Sequence, residues 1–105
     1  MILGASGQNI FPEEIEAKLN NLPFIMESLV IEKEGKLVAL VYPDYDTVDG
    51  TGISHTDLPI IMQQNLEEIN KLVAPYEKVA SIQLYPTEFE KTPKKSIKRY
   101  LYRNF

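Results

Sequence analysis

Met26-Glu27-Ser28-Leu29-Val30-Ile31-Glu32-Lys33-Glu34-Gly35-Lys36-Leu37-Val38-Ala39-Leu40-Val41-Tyr42-Pro43 is the stretch on which the fold turns. Two apolar runs flank a short charged connection that holds one glycine. This reads as a strand over about 26–31, a hairpin turn, and a second strand over 37–42. Pro43 has no N–H to give a ladder and ends the second strand. Upstream, Pro12 suits the first position of a helix, and Glu13, Glu14 and Glu16 sit near the positive end of its dipole. Ile15, Leu19 and Leu22 follow on one stripe, so a helix is predicted near 12–21, stopped by Pro23. Phe11 is a poor cap for it.

Downstream, residues 44–54 read as a polar loop containing Gly50 and Gly52. Thr56 is the expected cap of a second helix, with Asp57 in its first turn. Leu58, Ile61, Met62, Leu66, Ile69 and Leu72 line one face of it, and Pro75 closes it. Val79 to Tyr85 reads as a third strand, bounded by Pro86. A last amphipathic helix is expected over 97–103, with Ile97 and Leu101 turned inward. The order α-β-β-α-β-α predicts a small α+β domain, with three helices packed on a short mixed or antiparallel sheet.

The 105 residues allow one domain, which buries roughly two-thirds of its unfolded surface. An apolar share of 44% beside 25% charged residues is that of a folded globular chain and argues against disorder. Without cysteine there is no disulfide framework, thiolate zinc site or thiol nucleophile, and His55 alone cannot build a multi-histidine metal site. No apolar run approaches the roughly 20 residues that span a bilayer. Met1-Ile2-Leu3 runs directly into Gly4-Ala5-Ser6-Gly7, so no secretory leader is expected.

Charge is unevenly placed. Residues 1–90 carry fifteen acidic and five basic side chains, whereas residues 91–105 carry six basic ones (Lys91, Lys94, Lys95, Lys98, Arg99, Arg103) and none acidic. A basic tail on an acidic body is a candidate anion-binding element, or else a solvated face near a helix end. Two glycines in Gly4-Ala5-Ser6-Gly7-Gln8-Asn9 let backbone approach a ligand, although the spacing is that of neither a P-loop nor a dinucleotide fingerprint. Glu13-Glu14-Glu16 fits a helix N-terminus better than acid–base work.

At both ends these residues resemble a known family. Gly7-Gln8-Asn9-Ile10-Phe11-Pro12-Glu13-Glu14-Ile15-Glu16 resembles the Gly-x-Asn-Ile-x-Pro-x-Glu-Ile-Glu motif that opens the C-terminal domain of adenylate-forming enzymes: acyl-CoA synthetases, peptide-synthetase adenylation domains and firefly luciferases. Lys91-Thr92-Pro93-Lys94-Lys95-Ser96-Ile97-Lys98-Arg99 is similar to the closing Lys-Thr-x-x-Gly-Lys-Ile-x-Arg motif. Gly35 to Asp44 and Lys98 to Tyr102 look most like the long-chain fatty acid–CoA ligase branch. The resemblance covers essentially the whole chain.

That resemblance implies a two-step, cytoplasmic ligase, with peripheral attachment to a membrane left open. An N-terminal domain of the same polypeptide, absent from these residues, would bind ATP, magnesium and a fatty acid and form the acyl-adenylate. The small domain would then swing so that CoA attacks it. On this reading the chain is a piece of a longer protein and is inactive alone. A lysine of the closing motif would stabilise charge at the α-phosphate, and closure would shield the adenylate from water. The matching position is Ser96, which cannot supply that charge, so Lys95 becomes the candidate catalytic residue, ahead of Lys94 and Lys98. Gly7 would line the pantetheine path, and Lys91, Lys98 and Arg99 would meet CoA phosphates. No resident metal or nucleic-acid partner is implied. The alternatives are a ligase of another acyl or aryl acid, a stand-alone anion- or nucleic-acid-binding module with salt-sensitive binding, and a purely structural interaction domain.

Overall fold

The fold is taken from a computed structural model, which describes residues 2–3, 7, 9–85, 87–94 and 97–102, without the side chains of Ile2, Leu3 and Tyr100. Strands β1 (Ile2–Leu3) and β2 (Asn9–Ile10) pair antiparallel at the start. Helix α1 (Pro12–Leu19) leads to strands β3 (Ile25–Lys33) and β4 (Lys36–Pro43). Then come α2 (Tyr45–Thr51), a 3-10 turn over His55–Asp57, α3 (Leu58–Leu72), β5 (Val79–Leu84) and a closing 3-10 turn over Arg99–Leu101.

The hairpin forms as its charged connection suggests. Lys33 pairs with Lys36, leaving the two-residue turn Glu34-Gly35, with φ 53° and 77°. Positive φ at both central positions is the turn geometry that matches strand twist, and glycine adopts it freely. β5 joins the opposite side of β4 in parallel, giving the mixed order β3-β4-β5. A parallel neighbour needs a crossover, and residues 45–72 supply it.

Central strand β4 explains the continuous apolar run Leu37 to Val41, which is buried throughout. Leu37, Ala39 and Val41 face the inner layer with Val30, against Ile15 and Leu19 of α1 and Leu58, Met62 and Ile69 of α3. Val38 and Leu40 face the other way, with Leu29 and Ile31, and are roofed by Phe89 and Tyr102 from the tail. Asn70 ties the layers: its Nδ2 donates to the Val79 carbonyl at 3.0 Å, and its Oδ1 accepts from the Val79 N–H at 2.8 Å.

The α+β class and the mixed sheet are as expected, while four local readings are corrected. Residues 44–54 are not all loop: Asp44 accepts from the Thr47 N–H at 3.3 Å to cap α2, and Gly52, at φ 76°, ends it. Ser54, not Thr56, caps the 3-10 turn that leads into α3. The closing helix is a single 3-10 turn among the described residues, and Leu101 is exposed rather than inward. So short a segment gains little from helix nucleation, and its backbone is engaged elsewhere: Lys98 N–H donates to the Glu90 carbonyl at 2.8 Å. Helix α1 ends at Leu19, two residues early, in a turn at Asn20 and Asn21. No helix of the described residues is long and apolar enough to cross a membrane.

Candidate functional site

The tail folds into a loop with a closed base. Phe89 is anchored in the outer cluster, where its ring lies 5.2 Å from that of Tyr102, centroid to centroid. The Tyr102 hydroxyl accepts from the Glu90 N–H at 2.8 Å. Lys91 and Ile97 then form an antiparallel bridge, and the Lys98–Glu90 bond reinforces it one residue further out. Residues 92–94 follow Lys91 outward from this base. Pro93 and Lys94 are exposed; Lys95 and Ser96, which carry the candidate catalytic position, lie outside the described residues.

Beside the base runs a groove of about 410 Å³, lined among others by Glu13, Glu16, Glu27, Ser28, Lys91 and Arg99. Glu16 is buried where α1 meets β3, and its Oε2 accepts from the Val30 N–H at 2.7 Å. Arg99 approaches the same carboxylate with both terminal nitrogens: Nη1 lies 2.8 Å from Oε2, and Nη2 contacts Oε1. Its Nε lies 3.7 Å from Glu13 Oε1. Lys91 pairs with Glu27 Oε2 at 2.5 Å and donates to the Phe89 carbonyl at 3.3 Å. Glu27 Oε1 is buried without a hydrogen-bond partner among the described residues.

Burial raises the Glu16 carboxyl above its ordinary value of 4.5; the Arg99 hydrogen bonds, the Val30 N–H and the Arg99 charge recover only part of that rise. For Arg99 burial works downward, but the Glu16 hydrogen bonds and the charges of Glu16 and Glu13 outweigh it and hold the guanidinium above its ordinary value. The protonated form of Glu16 is thus favoured by folding. Stability from this group is fully present below its unfolded value and is lost as pH rises through the higher folded one. Compared over about pH 4 to 8, the difference in unfolding free energy between the unaltered chain and Glu16→Gln should move in favour of the Gln variant as pH rises. Movement the other way would mean that the Arg99 attraction exceeds the burial cost.

The structure therefore brings Lys91 and Arg99 into one groove and matches both to carboxylates. Lys98 lies on the same segment, half-buried, and neither it nor exposed Lys94 makes an ion pair among the described residues. Gly7 is exposed at φ 84°, a conformation that favours glycine, and is not among the groove's lining residues. Glu27 escaped the sequence reading, and Glu16 was read there as a charge suited to a helix N-terminus rather than as a partner of the tail. The signal for Glu16 was its place on the inward side of α1, one residue after Ile15 and three before Leu19. Among the described residues no group of three His, Cys, Asp or Glu is arranged to hold a metal ion. What remains available chemically is a cationic loop on a base whose own charges are already paired.

No protein-family model matches the sequence, and neither does any curated protein. Solved structures do match. A fatty acyl CoA synthetase of Mycobacterium tuberculosis is similar over 99% of this chain and 19% of its own, at TM-score 0.70 and 23% identity. An acyl-CoA synthetase of Brucella canis matches over 99% and 18%, at 0.74 and 22%. The adenylation domain of a carboxylate reductase from Mycobacterium chelonae matches over 95% and 17%, at 0.78 and 17%. At these identities the likeness is one of fold. The chain spans about a fifth of the length of each solved chain.

Proposed function

We propose that these residues form the C-terminal domain of an adenylate-forming acid–thiol ligase, most like a long-chain fatty acid–CoA ligase. The observation that carries this reading is a fold match over nearly the whole chain to a domain-sized part of acyl-CoA synthetases, joined to the two terminal motifs read above. In this reading a larger N-terminal domain of the same polypeptide binds ATP with magnesium, and a fatty acid. The loop over 92–96 enters that site during adenylation, and its lysines balance charge developing at the α-phosphate. The edge around Gly7 faces the same site when CoA attacks. Lys94 and Lys98 suit contact with CoA phosphates better than Lys91 and Arg99, whose charges are matched by Glu27 and Glu16. The neutralised groove also weighs against a nucleic-acid-binding tail.

The test is acid-dependent ATP–pyrophosphate exchange by the complete polypeptide that carries these residues, across short, long and aromatic carboxylic acids. Exchange greatest with long-chain acids, followed by acyl-CoA formation, is expected. Exchange only with short or aromatic acids would replace the fatty acid by another carboxylate, and none with any acid would overturn the ligase reading.

A further inference from the structure

We infer that Glu16 and Arg99 act as a pair of positioning residues that set the placement of the 92–96 loop, with Lys91 and Glu27 as a second latch; the inference rests on the ligase reading above. The two legs of the loop are held to the body separately. On the first leg, Lys91 pairs with Glu27 of β3. On the second, Arg99, two residues after the bridging Ile97, pairs with Glu16 of α1. Both carboxylates belong to elements of the folded body rather than to mobile side chains on a surface.

Glu16 is well fixed for this task. Its neighbours in α1, Ile15 and Leu19, lie in the core, and β3 is an outer strand of the sheet, so the carboxylate fills at Val30 the place a further strand would take. One carboxylate thereby registers helix, sheet edge and tail against one another. Arg99 adds direction to distance. Its planar fork meets the carboxylate through two nitrogens, which restricts rotation as well as separation, and a lysine ammonium cannot do this. The bridge and the Lys98–Glu90 and Glu90–Tyr102 hydrogen bonds carry that restriction to the start of the loop. A group that must meet a phosphate to within a fraction of an ångström needs such a base, because a misplacement of about 1 Å can cost on the order of a hundredfold in rate.

The experiment uses the complete polypeptide with Arg99→Lys, Glu16→Gln and both together, each confirmed folded by its thermal transition. Acid-dependent ATP–pyrophosphate exchange should fall about tenfold to a hundredfold in kcat, with KM for ATP held within about twofold. Acyl-CoA formation from added acyl-adenylate should keep its kcat, with any change confined to KM for CoA, which Lys94 and Lys98 contact in the ligase reading. The double variant should be no worse than the weaker single one, as expected for groups acting as a unit. Undiminished exchange in Arg99→Lys, additive losses, or parallel loss of both half-reactions would overturn the inference; the last would mark a merely structural pair. Absence of exchange in the unaltered polypeptide would instead overturn the ligase reading itself.

Discussion

On the ligase reading proposed above, replacing Lys95 with alanine in the complete polypeptide should lower acid-dependent ATP–pyrophosphate exchange by about 10²- to 10³-fold, the usual loss when one placed group stops stabilising developing charge. The reason lies in a mismatch of one residue. Where the closing motif that this stretch resembles has a lysine before its Ile, this chain has Ser96. A hydroxyl is neutral and short, and cannot answer the charge that gathers on an α-phosphate under attack. Lys95 is one position earlier, a displacement of about 3.3 Å along an extended segment, and a long flexible side chain can cover that distance. The acyl-CoA half-reaction should be spared. Adding Ser96→Lys to the alanine variant should restore exchange if position 96 faces the nucleotide. Unchanged exchange in Lys95→Ala would remove Lys95 from the role and leave adenylation to groups of the N-terminal domain.

The second large effect is on stability. Leu40→Ala should lower the unfolding free energy by about 3 kcal/mol, within the usual range for emptying a closed apolar site. Leu40 is fully buried on the outer face of β4, yet among the described residues no helix covers that face; the tail does, through Phe89 and Tyr102. A sheet face left to solvent would make the same change nearly neutral, so the experiment tests the roof as well as the residue. For a chain of this length total stability is about 5–15 kcal/mol, and the midpoint should fall by about 10–20 °C. Leu72→Ala is the control: Leu72 is 47% exposed and should cost well under about 1 kcal/mol. A Leu40→Ala loss no larger than that would mean that the tail does not cover the sheet.

What could be read from the sequence follows the range of the forces involved. The β3–β4 hairpin was legible because its signals are neighbours: two apolar runs and a glycine in the turn. The stripe of α3 was legible because a 15-residue helix repeats its pattern several times. Helix α2 was missed although its cap, Asp44, and its terminating Gly52 were both visible; with seven residues and one buried apolar side chain, Val48, it shows no periodicity. The tail misled for the opposite reason. Ile97 and Leu101 have helical spacing, but Lys98 and Tyr102 bond back to Glu90 and hold the segment in another shape.

The candidate site divides along the same line. The basic residues of the tail announced themselves by charge. Their partners did not: Glu16 and Arg99 are 83 positions apart, and only the fold brings them together. The acidic cluster at the start of α1 suggested a favourable helix dipole, which suits Glu13 and Glu14 in its first turn. Glu16 is different, since its place next to the core stripe puts a carboxylate where only a cation and a backbone N–H can satisfy it.

The stretch that offers the lysines is also the stretch that shelters one side of the sheet. Peeling it away to deliver a side chain elsewhere would wet Leu29, Ile31, Val38 and Leu40 together, at a cost of several kcal/mol on apolar area alone. Delivery by unpeeling is thus closed to this architecture. In the ligase reading, the lysines are therefore delivered by movement of the whole body and not of the tail alone.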